Sequence, residues 1–158
     1  MTLTDTAERR FTLDSNILVY AFDRTEEVRH QLAVEIVDRA VAADCLLTLQ
    51  ALSEFYAVTT RKQMLSPAEA AAQVADWLAA FRHATISASA MLAALGHATT
   101  GRASYWDALL VATAAEAGCC VVLSEDMSDG GRFGDIQVHN PFAPGGRLTE
   151  RARQLLEP

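Results

Sequence analysis

Long apolar runs are missing from this 158-residue chain: it holds no stretch of eighteen apolar residues that would read as a membrane span. The opening segment MTLTDTAERRF carries acids and arginines where a signal peptide needs a basic start and an apolar stretch. A soluble, cytoplasmic protein with no membrane partner is the expectation. Cysteine is scarce, with three residues, an odd number, and Cys119 and Cys120 are adjacent and cannot pair without strain. That argues against a disulfide framework and for a reducing compartment, with all three as buried thiols. The four histidines, His30, His83, His97 and His139, have no partner one helical turn away, which speaks against a zinc site. No G-x-S-x-G turn occurs, which speaks against a Ser/His/Asp hydrolase of that type. Positive charge is short as well: 13 Lys and Arg stand against 20 Asp and Glu, a formal charge of −7 that by itself disfavours a nucleic-acid partner.

Apolar residues make up 51% of the chain, enough to build one substantial core without disulfides or a structural metal. Four β-rich runs stand out, RFTLD (10–14), CLLTL (45–49), CVVLS (120–124) and IQVHN (136–140), with ATISA (84–88) a weaker fifth. Helical spacing covers roughly 15–22, 26–43, 50–62, 67–82, 89–100 and 105–117, with Ser66-Pro67 as a start and Gly118 as a stop. Strands alternating with helices predict a three-layer α/β/α domain around a central parallel sheet, with ligands at the carboxyl ends of the strands. The domain is expected to span 1–140, followed by a tail, 141–158, that Pro and Gly interrupt before a short helix near 147–156. Packing on the body, partner binding and disorder all remain open for that tail.

The informative residues are acids on apolar faces. Glu54 has Ala51, Ala57 and Val58 one turn away, and Asp107 has Leu110 and Val111, so both point along buried helix sides near the helix starts. Asp14, in LDSN, and Asp126, after Ser124, lie just past strand ends on the same rim. Taken singly, each has a plainer reading: LDSN and the Ser104 to Asp107 stretch also read as helix caps, and Asp129-Gly130 as a turn. Together the four carboxylates would repel by about 3 kcal/mol per close pair at about 5 Å and an effective dielectric near 20. A divalent cation resolves that repulsion, and an all-oxygen donor set suits Mg2+ or Mn2+, ions that serve phosphoryl chemistry.

These residues resemble a known family. LDSNILVYAF, LQALSEFYAVTTRK, SYWDALLVATAAEAGC and VLSEDMSDG, in this order and with the acids 40, 53 and 19 residues apart, are similar to PIN domains, specifically the VapC-type ribonuclease toxins of bacterial toxin–antitoxin pairs. The resemblance runs from about Phe11 to His139. It implies a PIN-like fold and an endoribonuclease that uses Mg2+ or Mn2+ to activate water against an RNA phosphodiester, leaving a 5′-phosphate and a 3′-hydroxyl. By the same resemblance Asp14, Glu54, Asp107 and Asp126 are the catalytic, metal-holding acids, with Asn16 and Ser124 as supporting polar residues. Asp129 is the alternative fourth acid, and Glu125 is expected to face solvent. The implied partners are an RNA substrate, a cognate antitoxin protein and a second copy of the chain in a homodimer.

Without the four proposed ligands the formal charge is −3, and two divalent cations bring the full −7 to the same −3. Arg24, Arg61 with Lys62, and Arg102 are the candidate phosphate contacts, and Trp106, beside Asp107, is a candidate for the RNA path. Rival readings are a PIN-like nuclease of RNA processing without an antitoxin, and a metal-free PIN-like binding module. Aspartate-nucleophile phosphatases and receiver domains need a late lysine near the site, and the only lysine is Lys62.

Overall fold

The computed structural model describes residues 9–128 and 130–158. Its central sheet grows from strands whose faces alternate. In β1 (Phe11–Leu13) Phe11 and Leu13 point to one side and Thr12 to the other, and all three are buried. Strand β2 (Cys45–Thr48) and strand β4 (Val121–Leu123) repeat the pattern, and both pair with β1 in parallel, Phe11 opposite Cys45 on one side and Val121 on the other. Short strand β3 (Arg82–Ala84) adds to β2, and β6 (Ile136–His139) adds to β4, again in parallel. The two-residue β5 (Arg132–Phe133) closes that side antiparallel, giving the order β3-β2-β1-β4-β6-β5.

Crossover helices cover both faces, so the domain is a three-layer α/β/α fold. Helices α1 (Ser15–Tyr20), α2 (Glu27–Ala40), α3 (Leu49–Arg61) and α4 (Pro67–Ala80) contribute to a core with Phe11, Leu13, Ile36, Leu47, Phe55 and Trp77. Phe22, Phe55 and Trp77 meet edge to face there, with centroids 4.7 to 5.9 Å apart. On the opposite face α6 (Tyr105–Glu116) sets Leu110, Val111 and Ala114 against Leu46, Val122 and Val138. Outside α6 lies α5 (Ala88–Thr99), which buries only Ala90 and Ala94.

Helix starts follow local chemistry. Ser66 and Glu69 exchange side-chain and backbone hydrogen bonds in a complete capping box, with Pro67 at the first helical position. Thr48, Ser87 and Ser104 cap α3, α5 and α6 in the same way with one hydroxyl each. Gly118, with φ of +83°, ends α6.

Two expectations are corrected, and the tail, left open by the sequence, takes a definite form. The fifth strand is Arg82–Ala84, earlier than ATISA, because Ser87 is taken up in capping α5. Cys45 and Cys119 are buried but Cys120 is half-buried. The segment after 140 forms a hairpin, β7 (Phe142–Ala143) with β8 (Arg147–Leu148), then helix α7 (Glu150–Leu155), and it packs on the body: Leu148, Ala152, Leu155 and Leu156 join the core that holds Phe11, Ile36 and Phe55. No helix among the described residues is long and apolar enough to cross a membrane.

Candidate active site

Parallel pairing brings the carboxyl ends of β1 and β4 side by side, and the polar residues that follow each strand meet there. Asp14 is the first residue after β1. It caps α1, accepting from the Ser15 N–H at 2.7 Å through Oδ1, while Oδ2 accepts from the Ser124 hydroxyl at 2.8 Å and the Asn16 amide at 3.2 Å. The cap reading and the site reading of LDSN are therefore compatible: one oxygen serves the helix and the other joins the rim. Ser124, fully buried, also accepts from the Asn16 amide and the Met127 N–H, both at 3.2 Å. Asn16 Oδ1 in turn accepts from the Glu125 N–H at 3.3 Å. One asparagine thus ties the turn after β1 to the turn after β4.

Glu54 enters from the second turn of α3. Its Oε2 accepts from the Ser15 hydroxyl at 2.8 Å and its Oε1 from the Gln50 amide at 3.1 Å. Gln50 also donates to the Trp106 carbonyl at 2.9 Å, which fastens α3 to the first turn of α6, where Asp107 sits. Asp14 is 7% exposed, and burial pushes its carboxyl up to about 6 from an ordinary 3.8. Hydrogen bonds from Ser124 and Ser15 oppose the rise, and the charges of Glu54 and Asp107 add to it. Those three acids share one electrostatic environment.

Asp126 is exposed and borders a neighbouring cleft of about 390 Å³ with Ser15, Asn16, Arg61 and Lys62. Among the described residues, no three of His, Cys, Asp or Glu close into a group ready to hold a metal ion. Neutral donors occupy the carboxylate oxygens of Asp14 and Glu54 instead. Asp129, the alternative fourth acid, lies outside the described residues.

The donor set nevertheless fits a hard divalent cation, because the groups meeting at the rim are carboxylates, a hydroxyl and an amide. A carboxyl raised by burial and by two like charges is also one that a cation would relieve.

Residues that sequence reasoning left out are Ser15 and Gln50, the partners of Glu54. Gln50 lies one turn before Glu54 on the same helix, a spacing that does announce their contact. Glu125 departs from expectation: instead of facing solvent it accepts from the Tyr20 hydroxyl at 2.8 Å and pairs with Arg29 at 2.6 Å. Burial together with Glu125 pushes the Tyr20 phenol up to about 12.

Comparison with known proteins agrees with this architecture. Residues 11–128 match the family described as PIN domain. Among solved structures, the chain resembles Mycobacterium tuberculosis VapC20, described as a sarcin-ricin-loop-cleaving toxin, at a TM-score of 0.61 and 17% identity, over 73% of this chain and 89% of that one. It also resembles VapBC2 from Rickettsia felis, solved with a DNA fragment from its promoter, at 0.59 and 12%, over 82% and 97%. DNA-bound VapBC from Salmonella typhimurium follows at 0.55 and 16%, over 82% and 96%. No curated protein sequence matches the chain.

Proposed function

The chain belongs to the PIN-domain family, and from that premise we propose that it is a divalent-metal-dependent endoribonuclease, the toxin of a toxin–antitoxin pair. The observation that carries this reading is Asp14: a carboxylate buried at a strand end, held by three donors and facing the charges of Glu54 and Asp107. A purely structural cap gains nothing from two further acids beside it.

Asp14, Glu54, Asp107 and Asp126 are the residues that would hold Mg2+ or Mn2+. When bound, such an ion supplies a Lewis acid for the phosphodiester oxygens and a water of lowered pKa. The chain's own contribution is orientation. Ser124 and Asn16 fix one Asp14 oxygen, the Ser15 N–H fixes the other, and the Ser15 hydroxyl with Gln50 sets the Glu54 plane.

The partners proposed are RNA as substrate, an antitoxin protein and a second copy of the chain, all in the cytoplasm. The likeness to VapC20 and to two VapBC complexes supports the toxin–antitoxin part. Support for self-association comes from α5, whose Met91, Leu92 and Leu95 are exposed in a stretch, 83–101, that contains no Asp, Glu, Lys or Arg. A twofold interface sets a patch against its own copy, so it must avoid charge that would meet itself.

Incubation of the purified protein with total RNA tests the function. Cleavage is expected with Mg2+ or Mn2+, is stopped by EDTA, and is lost in Asp14→Asn and Asp107→Asn while both variants stay folded by circular dichroism. Full activity in either variant overturns the site assignment.

A further inference from the structure

Glu54 also faces a second opening. Between the start of α3 and the first turn of α6 lies a cleft of about 740 Å³, bordered by Gln50, Glu54, Arg61, Thr85, Ile86 and Trp106. Trp106 is the anomaly in it, because the indole is 61% exposed while the other tryptophan, Trp77, is 6% exposed within the aromatic core. Trp106 is nonetheless held in place. Tyr105 meets its ring edge to face at 5.1 Å, and the single Gln50 amide that binds its carbonyl also binds Glu54. The backbone that carries this exposed aromatic face is thereby tied to the helix that carries Glu54. Arg61, two turns beyond Glu54 on α3, borders both this cleft and the one that contains Asp126.

We propose that this cleft receives an unpaired RNA base beside the scissile phosphate, stacked on the Trp106 indole, with Arg61 meeting an adjacent phosphate. The inference rests on the ribonuclease reading above. Every base has a π face, so a stacking platform accepts single strands without reading their sequence. In a chain of charge −7, general attraction for phosphates is weak, and stacking carries a larger share of binding. An exposed indole, neighbouring acids and a flanking cation suit one extended strand entering the site.

The test uses Asp14→Asn, which is expected to bind without cutting, titrated with decaadenylate. Tryptophan emission should be quenched, and the quenching should vanish in Asp14→Asn/Trp106→Ala, where Trp77 is the remaining indole. Anisotropy of fluorescein-labelled decaadenylate should show a Kd raised about 5- to 100-fold in that double variant and largely restored by Trp106→Phe. In Asp14→Asn, an abasic nucleotide placed at the stacking position should reproduce the loss, and adding Trp106→Ala should then cost nothing more. Unchanged Kd, quenching that survives without Trp106, or no quenching overturns the proposal. A wild-type protein that cuts no RNA defeats the ribonuclease reading. Wild type and Trp106→Ala cutting total RNA with equal KM defeats the base subsite alone.

Discussion

Asp14 does two jobs that pull against each other. As a cap it is content, but as a buried anion near Glu54 and Asp107 it is costly, since a carboxyl moved from 3.8 to about 6 loses about 3 kcal/mol once ionised. The direction with pH follows. Below about 4 the group is protonated in folded and unfolded chains alike and costs nothing, and from there to about 6 the folded state holds the extra proton, so stability falls as pH rises and stays low above it. Asp14→Asn is therefore expected to stabilise the metal-free protein by about 1–3 kcal/mol at pH 8 and by nothing at pH 4, read by urea unfolding. Equal stability at pH 8 would mean the charge is not strained. Ser124→Ala removes a donor to Asp14 and the acceptor of Asn16 and Met127. A drop in cleavage of about 10- to 100-fold is expected, with half-maximal activity reached only at a higher Mg2+ concentration.

Among the elements, Gly118 offers the cleanest check of local physics. Its φ of +83° suits glycine, and a Cβ there would lie 3.2 Å from Arg10 Nη1, which itself donates to the Ala117 carbonyl at the end of α6. Gly118→Ala should cost about 1 kcal/mol and lower Tm by about 2–4 °C with cleavage retained, as differential scanning calorimetry and an RNA assay would show. Gly118 was also readable in advance, as were Ser66-Pro67 and the four apolar strands, because each depends on neighbours in the chain. Strand β3 was not. Arg82 pairs with Asp44, and the side chains of Arg82 and His83 are exposed, so this edge strand owes its conformation to pairing with β2 and carries no apolar pattern. The candidate site divides along the same line. Glu54 and Asp107 stand out by interrupting apolar helix faces and Asp14 by ending a strand, whereas the Tyr20–Glu125–Arg29 contacts join residues about a hundred positions apart and leave no local trace.

The molecule as a whole presents one surface that its charge does not explain. Leu92 is 70% exposed on α5, within the charge-free stretch 83–101 of a chain carrying −7 overall. If two copies join there, Leu92→Asp puts a carboxylate into the apolar seam from each copy and should convert a dimer into a monomer by size-exclusion chromatography with light scattering. An unchanged mass would move the interface elsewhere. The sheet order has a consequence of another kind. Strand β1 is laid down early in synthesis, yet the hydroxyl that seats Asp14 arrives 110 residues later, when β4 slots beside it. A chain that stops before Val121 carries Asp14, Glu54 and Asp107 with β1 and β2 to pair, but lacks the Ser124 hydroxyl and the turn after β4 that Asn16 ties to Asp14, so this rim is completed only when the last parallel strands are in place.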